Sequence, residues 1–217
     1  MLDEIAFFIL ILCYIISIIM LYYSLNKEKT RKGVRRRILK NWVFNNIDLK
    51  NMNAVQAIRN LIIVNNAFIS ALLVLTGLLI GLFSNIFTDN TIFLWGIIPS
   101  VSIKIAQIIL VGFFVMFCLF NFINSNRMAA NLSFLITTDP ETDVVDKEQK
   151  EQNILLIRDT FRISQRSWML GIRGIFYLVA TITWLIHPVV LIVSSVIITL
   201  YVILAHDFSI FEKRLPG

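Results

Sequence analysis

Apolar residues fall into four long runs along this chain, and the last run is of double length. Between Trp168 and Phe208 about forty residues pass with only Arg173 near the start and His187-Pro188 in the middle as interruptions. A helix rises about 1.5 Å per residue and a bilayer's hydrocarbon core is roughly 30 Å thick, so one straight helix would overshoot almost twofold. The chain must turn near Pro188, which makes two spans back to back. With the three runs upstream, the pattern predicts an all-α fold, a polytopic membrane helix bundle. It forms a single transmembrane domain over residues 1–217, with five spans at about 5–25, 60–85, 101–124, 169–187 and 188–206.

Between the spans the pattern changes to helical amphipathicity. In 34–47, Val34, Ile38, Trp42 and Phe44 alternate with Arg35, Arg36, Arg37 and Lys40, which reads either as a basic helix lying among headgroups or as a positive loop with anchoring aromatics. Acidic phospholipids at the cytoplasmic face are the partner this composition expects. Further on, Ile154, Ile157, Phe161 and Trp168 share one face while Arg158, Arg162 and Arg166 recur every four residues on another, so a helix is expected to start near Val145 and run into the fourth span. That arginine row is either a solvated face or a ligand site.

Charge orients the spans. Segment 26–59 holds ten basic and two acidic residues, whereas 86–100 carries only Asp89 and the N-terminus only Asp3 and Glu4. Positive-inside bias therefore places the basic segment and the C-terminus, with Lys213 and Arg214, in the cytoplasm and the N-terminus outside. The helical segment 125–168, with six basic and seven acidic residues, is neutral in this respect and falls on the cytoplasmic side in the same scheme.

Composition agrees with membrane placement: 57% of residues are hydrophobic and 16% charged, against roughly 25% charged in a soluble domain. The acidic start is unlike the positive n-region of a secretory signal, so the first span is expected to remain in the mature protein. Cys13 and Cys118 both lie in spans and read as small buried hydrophobes.

No Asp or Glu occurs from Ile5 to Leu25, Leu61 to Asn85, Val101 to Phe122 or Met169 to Ala205. Cation-coupled carriers and intramembrane aspartyl proteases need a carboxylate at that depth. The chain also lacks a phosphate-cradling glycine loop, a His-Glu-x-x-His pair and a Gly-x-Ser-x-Gly elbow. The expectation is a protein that is not an enzyme, with no catalytic residue, metal or cofactor, and with a bilayer rather than a nucleic acid as its charged partner.

The spans do contain amides, guanidinium groups and small residues. In the second, Arg59, Asn66, Ser70, Gly77 and Gly81 follow at helical spacing and end in a Gly-x-x-x-Gly pair. Such a stripe is expected to face protein or water, either as packing glue or as the lining of a polar path. In the fourth, Arg173, Tyr177, Ala180, Trp184 and His187 lie on one side, with Arg173 near enough the inner edge to snorkel and Trp184 at the depth of an outer aromatic belt. Lys104 stands at the outer start of the third span. At that span's inner end, Asn121, Asn124, Asn126 and Arg127 form an amide-rich cluster consistent with capping and headgroup contact.

The run Arg35-Arg36-Arg37 with Trp42, then Val55 to Asn60 opening a span that ends Thr76-Gly77-Leu78-Leu79-Ile80-Gly81, resembles the first half of the membrane-protein family named domain of unknown function 599. Lys104, Phe117 and Phe120 leading to Arg127 and Asn131, and Gly171-Ile172-Arg173-Gly174 with Tyr177, Trp184, Pro188 and Tyr201 resemble its second half in order. Asn121 and His206-Asp207 depart from residues that its members vary or fill with basic groups. The resemblance implies a membrane fold and no particular activity.

Three functions fit this reading. The first is a homo-oligomeric channel or passive permease for anions or small polar solutes, lined by the Arg59–Gly81 stripe. The second is a scaffold that binds acidic lipids and a partner protein, with the polar stripes only holding helices together. The third is lipid handling at the inner leaflet through Arg173 and Arg127.

Overall fold

A computed structural model describes residues 2–26, 52–89, 103–137 and 147–207. Within them lie α1 (Leu2–Asn26), α2 (Met52–Asp89), α3 (Ile103–Thr137), α4 (Lys147–Thr183) and α5 (Pro188–Tyr201), which runs on into a π-helical turn at Val202–Asp207. No strand occurs among the described residues. Helices satisfy every interior backbone group within one segment, which is why apolar runs surrounded by hydrocarbon take this form. Three stretches are long and apolar enough to cross a bilayer, Leu2–Ser24, Ala54–Gly81 and Ala106–Ile136, and Pro188–Leu204 is a shorter apolar helix. The chain is an all-helical bundle with the dimensions of a membrane protein.

Side-chain pairs fix the directions. Asn65 meets Ser125 while Phe68 stacks on Phe122, so α2 and α3 are antiparallel. Asn124 reaches Ser167, and Gly171 abuts Phe122, so α3 and α4 are antiparallel as well. On the other side of α4, Asp3, Cys13, Ser17 and Tyr22 of α1 meet Trp184, Tyr177, Arg173 and Arg166 in turn, again antiparallel.

The turn into α5 is local chemistry. α4 unwinds at Trp184 to Ile186, where three N–H groups bond back to the carbonyls of Thr181, Ile182 and Thr183 at 3.1 Å. His187 then takes an extended backbone and caps α5, its Nδ1 accepting from the N–H of Val189 at 3.2 Å. Pro188 occupies the first helical position, where its missing N–H costs nothing.

Two apolar cores lie along the bundle. The larger joins all five helices: Ala6, Leu10 and Cys13 of α1, Leu72 and Leu79 of α2, Val111, Phe114, Val115, Cys118, Leu119 and Phe122 of α3, Tyr177, Leu178 and Ala180 of α4 with Trp184 just past its end, and Leu191 of α5. The smaller, Ile58, Ala129, Leu132, Ile136 and Ile157, joins only α2, α3 and α4. These three helices therefore project past the C-terminal ends of α1 and α5. Accordingly α3 does not end near Phe122 to Asn124 but continues to Thr137, because Ala129, Leu132 and Ile136 keep burying one face. The amides at its middle are not caps. α2 is the peripheral member: it packs principally on α3, and 11% of its spanning window is buried against 44% for α3.

Candidate functional site

Polar side chains gather in three places, and the first is a brace between α1, α4 and α5. Arg173 is 3% exposed and donates to the hydroxyl of Ser17 at 2.6 Å and to the Ser17 carbonyl. It does not snorkel, because α1 covers it and offers acceptors closer than any headgroup. One turn on, the Tyr177 hydroxyl donates to the Cys13 carbonyl at 2.9 Å and lies 2.8 Å from Thr199 Oγ1. Tyr14 packs edge-on to Tyr177, Phe114 and Phe117, sealing the brace on the α3 side. At the far end Trp184 Nε1 donates to Asp3 at 3.0 Å, and the Trp184 carbonyl accepts from Gln107 at 3.3 Å. Trp184 is 4% exposed, so it is a bundle residue rather than a belt residue. His187 is exposed and serves as the α5 cap.

The second place is a layer of amides and hydroxyls between the two apolar cores. Asn65 donates to Ser125 Oγ at 3.0 Å, Ser164 donates to the Ser125 carbonyl at 2.9 Å, and Asn124 donates to Ser167 at 2.7 Å. On the rim, Asn126 donates to Asn66 Oδ1 at 2.8 Å. Asn121 bonds within its own helix, to the Phe117 carbonyl at 2.8 Å.

The third is the stripe of α2. Arg59, Asn66, Ser70, Gly77 and Gly81 are all exposed, while Ala54, Ile58, Asn65, Leu72 and Leu79 face α3. A Cβ built on Gly77 or Gly81 would meet no atom within 4 Å, and the same holds for Gly112 of α3. Among the described residues the stripe is exposed, and its Asn66 meets α3 through Asn126. It does not join Arg173 and Tyr177, which lie inside the brace.

Arg127 is exposed on α3, at the end of an outward line formed by Ile109, Phe113, Met116, Phe120 and Ile123. Lys104 is the second residue of α3, and its side chain lies outside the described residues. Arg35, Arg36, Arg37, Lys40 and Trp42 lie outside them entirely. Both cysteines are free and buried.

A family model matches residues 5–210. The chain belongs to the family described as Protein of unknown function, DUF599. The match covers the described helices apart from Leu2 to Glu4, including the α4–α5 turn and the glycines of α4. Neither a curated protein nor a solved structure matches this DUF599 chain.

Sequence reading singled out the arginine and tyrosine of the brace but not their partners Ser17 and Thr199. A signal existed. Ala6, Leu10, Cys13, Ser17, Leu21 and Ser24 are all buried and follow at spacings of three and four, so Ser17 shares the stripe that packs α1 into the bundle.

Proposed function

We propose that this DUF599 protein works as a homo-oligomeric membrane channel or passive permease, with no enzymatic activity, in which α2 stripes from neighbouring copies line the path. The observation that carries the reading is the exposure of Ser70, Gly77 and Gly81 along α2, with no described atom within 4 Å of a Cβ built on Gly77 and with Asn66 beside them at the α3 rim. Polar groups left facing acyl chains are costly, while glycines spaced by four let a second helix approach closely and amides bond across such contacts for about 0.6–2 kcal/mol each. Inside the protomer, Phe114, Phe122, Tyr177 and Trp184 fill the space between helices, so a path between copies suits this chain better than one through it. Arg59 on the stripe and the lack of any acid from Leu61 to Asn85 favour anions or small neutral solutes over cations. In this reading the N-terminus lies outside and the basic segment 26–59 inside, against acidic lipids.

Reconstitution tests it. Wild-type protein in vesicles should pass chloride or a small polar solute, with a reversal potential that follows the anion gradient. Gly77→Leu with Gly81→Leu should reduce both flux and cross-linked oligomer while leaving a folded protomer. A flux that survives Asn66→Leu and Arg59→Leu in folded protein would turn the stripe into mere packing and favour the scaffold.

A further inference from the structure

The face of α4 that carries Arg173, Tyr177 and Trp184 against α1 continues toward the start of the helix as Arg166, Arg162 and Arg158. α1 reaches down this face only as far as its last turn. There the Arg166 guanidinium lies 4.6 Å from the centre of the Tyr22 ring and donates to the Tyr22 hydroxyl, and Tyr23 beside it is 52% exposed. Arg158 pairs with Asp159 at 3.6 Å. Arg162 stands between them on the helix, exposed, with no hydrogen bond or ion pair to any described residue.

Guanidinium groups four residues apart on a helix face one another and repel. Here three of them share one carboxylate within the row, which leaves two positive charges uncompensated there. Depth selects what compensates them. The apolar stretch Leu2–Ser24 is 23 residues long, about 35 Å as a helix, so it covers the roughly 30 Å hydrocarbon core and sets Tyr22 and Tyr23 at its border. Arg162 and Arg166 therefore stand level with headgroups, where phosphates are concentrated.

We infer that Arg162 and Arg166, below the end of α1, bind the phosphate of an acidic phospholipid. Stacking on Tyr22 holds one guanidinium plane and leaves the outward side of its fork available, while Arg162 offers a second fork one turn away. Two planar forks suit phosphate oxygens better than point charges do. A net-negative lipid is preferred over a zwitterionic one, because a choline or ethanolamine head would bring its own cation to a face that already has two in excess. The site depends only on the membrane placement of the chain and stands whether or not the protein conducts.

Native mass spectrometry of the intact protein in mixed micelles of phosphatidylglycerol and phosphatidylcholine tests it. At about 1 kcal/mol per basic residue near an anionic surface, wild type should retain phosphatidylglycerol with a preference of roughly thirtyfold. Arg162→Gln removes no hydrogen bond or ion pair to a described residue and should lower that preference to about fivefold by the same scale. Arg162→Gln with Arg166→Gln should abolish it, whereas Arg127→Gln, exposed on α3, should leave it near the wild-type value. Equal loss in the Arg127 variant would mean general charge attraction, and full retention in the double variant would remove the site. Displacement of the lipid by millimolar inorganic phosphate would reassign the arginines to a soluble anion and overturn the lipid reading.

Discussion

Two glycine pairs stand in this bundle at almost the same spacing and do opposite things. Gly171 and Gly174 of α4 are buried: an added Cβ would lie 2.9 Å from the Phe122 ring at the first and 2.5 Å from Cys118 Sγ at the second. Gly77 and Gly81 of α2 are exposed, with nothing within 4 Å of either Cβ position. In α4 the missing side chains leave room inside the chain for the Phe122 ring and Cys118 of α3. In α2 the same economy is left open to whatever lies beyond. A short glycine motif therefore reports that some surface approaches closely, and the fold decides whether that surface belongs to the same molecule.

The sharpest way to break the comparison is Gly174→Val. Its Cβ would press on Cys118, which sits in the main core, and on Phe117, at 3.1 Å. Overpacking of this kind costs about 1–3 kcal/mol or more, so the variant should lose most of its thermal stability in detergent, and Cys118→Ala should restore part of it. Both readouts come from melting followed by size exclusion.

Next in size is the brace that holds α1. Arg173→Met removes charge-assisted bonds to Ser17 worth about 1.5–3 kcal/mol, whereas Tyr177→Phe removes neutral ones worth about 0.5–1.5 kcal/mol. Protease nicking of α1 in micelles should rise in that order. Equal protection in both variants would mean that apolar packing alone docks α1.

The smallest expected effect is at the open pair. Gly77→Ala and Gly81→Ala should leave the protomer's melting point unchanged or raise it slightly, since alanine is favoured over glycine in a helix by about 0.5–1 kcal/mol. A drop as large as that of Gly174→Val would show that the α2 face is closed in the folded protomer and would erase the contrast between the pairs.

Much of the architecture was legible from the residues. Apolar runs long enough for a bilayer, and the His187-Pro188 break, dictate helices and a turn whatever they pack against. Partners were harder, because periodicity gives the face of a helix but not its neighbour. Asn66 and Arg173 look alike in sequence, each a polar residue on a stripe of small and aromatic ones. α1 happens to lie over Arg173, while no described atom lies within 4 Å of a Cβ built on Gly77. The amides at Asn124 to Asn126 misled for a related reason: such residues often end helices, and only the continuing burial of Ala129 and Leu132 keeps α3 going. The arginine row of α4 was visible as a row, but its position beside Tyr22 required the third dimension.

The amide layer carries a mechanical consequence. Asn65, Ser125, Ser164, Asn124 and Ser167 tie three helices together at one height, between a five-helix body and a three-helix stem. Sliding any one helix by a single turn would break these links at once, so α2, α3 and α4 rise or sink together. Such a molecule rides at a fixed draught, like a hull with a bolted keel, and a bilayer thicker or thinner than its waterline would have to deform to meet it.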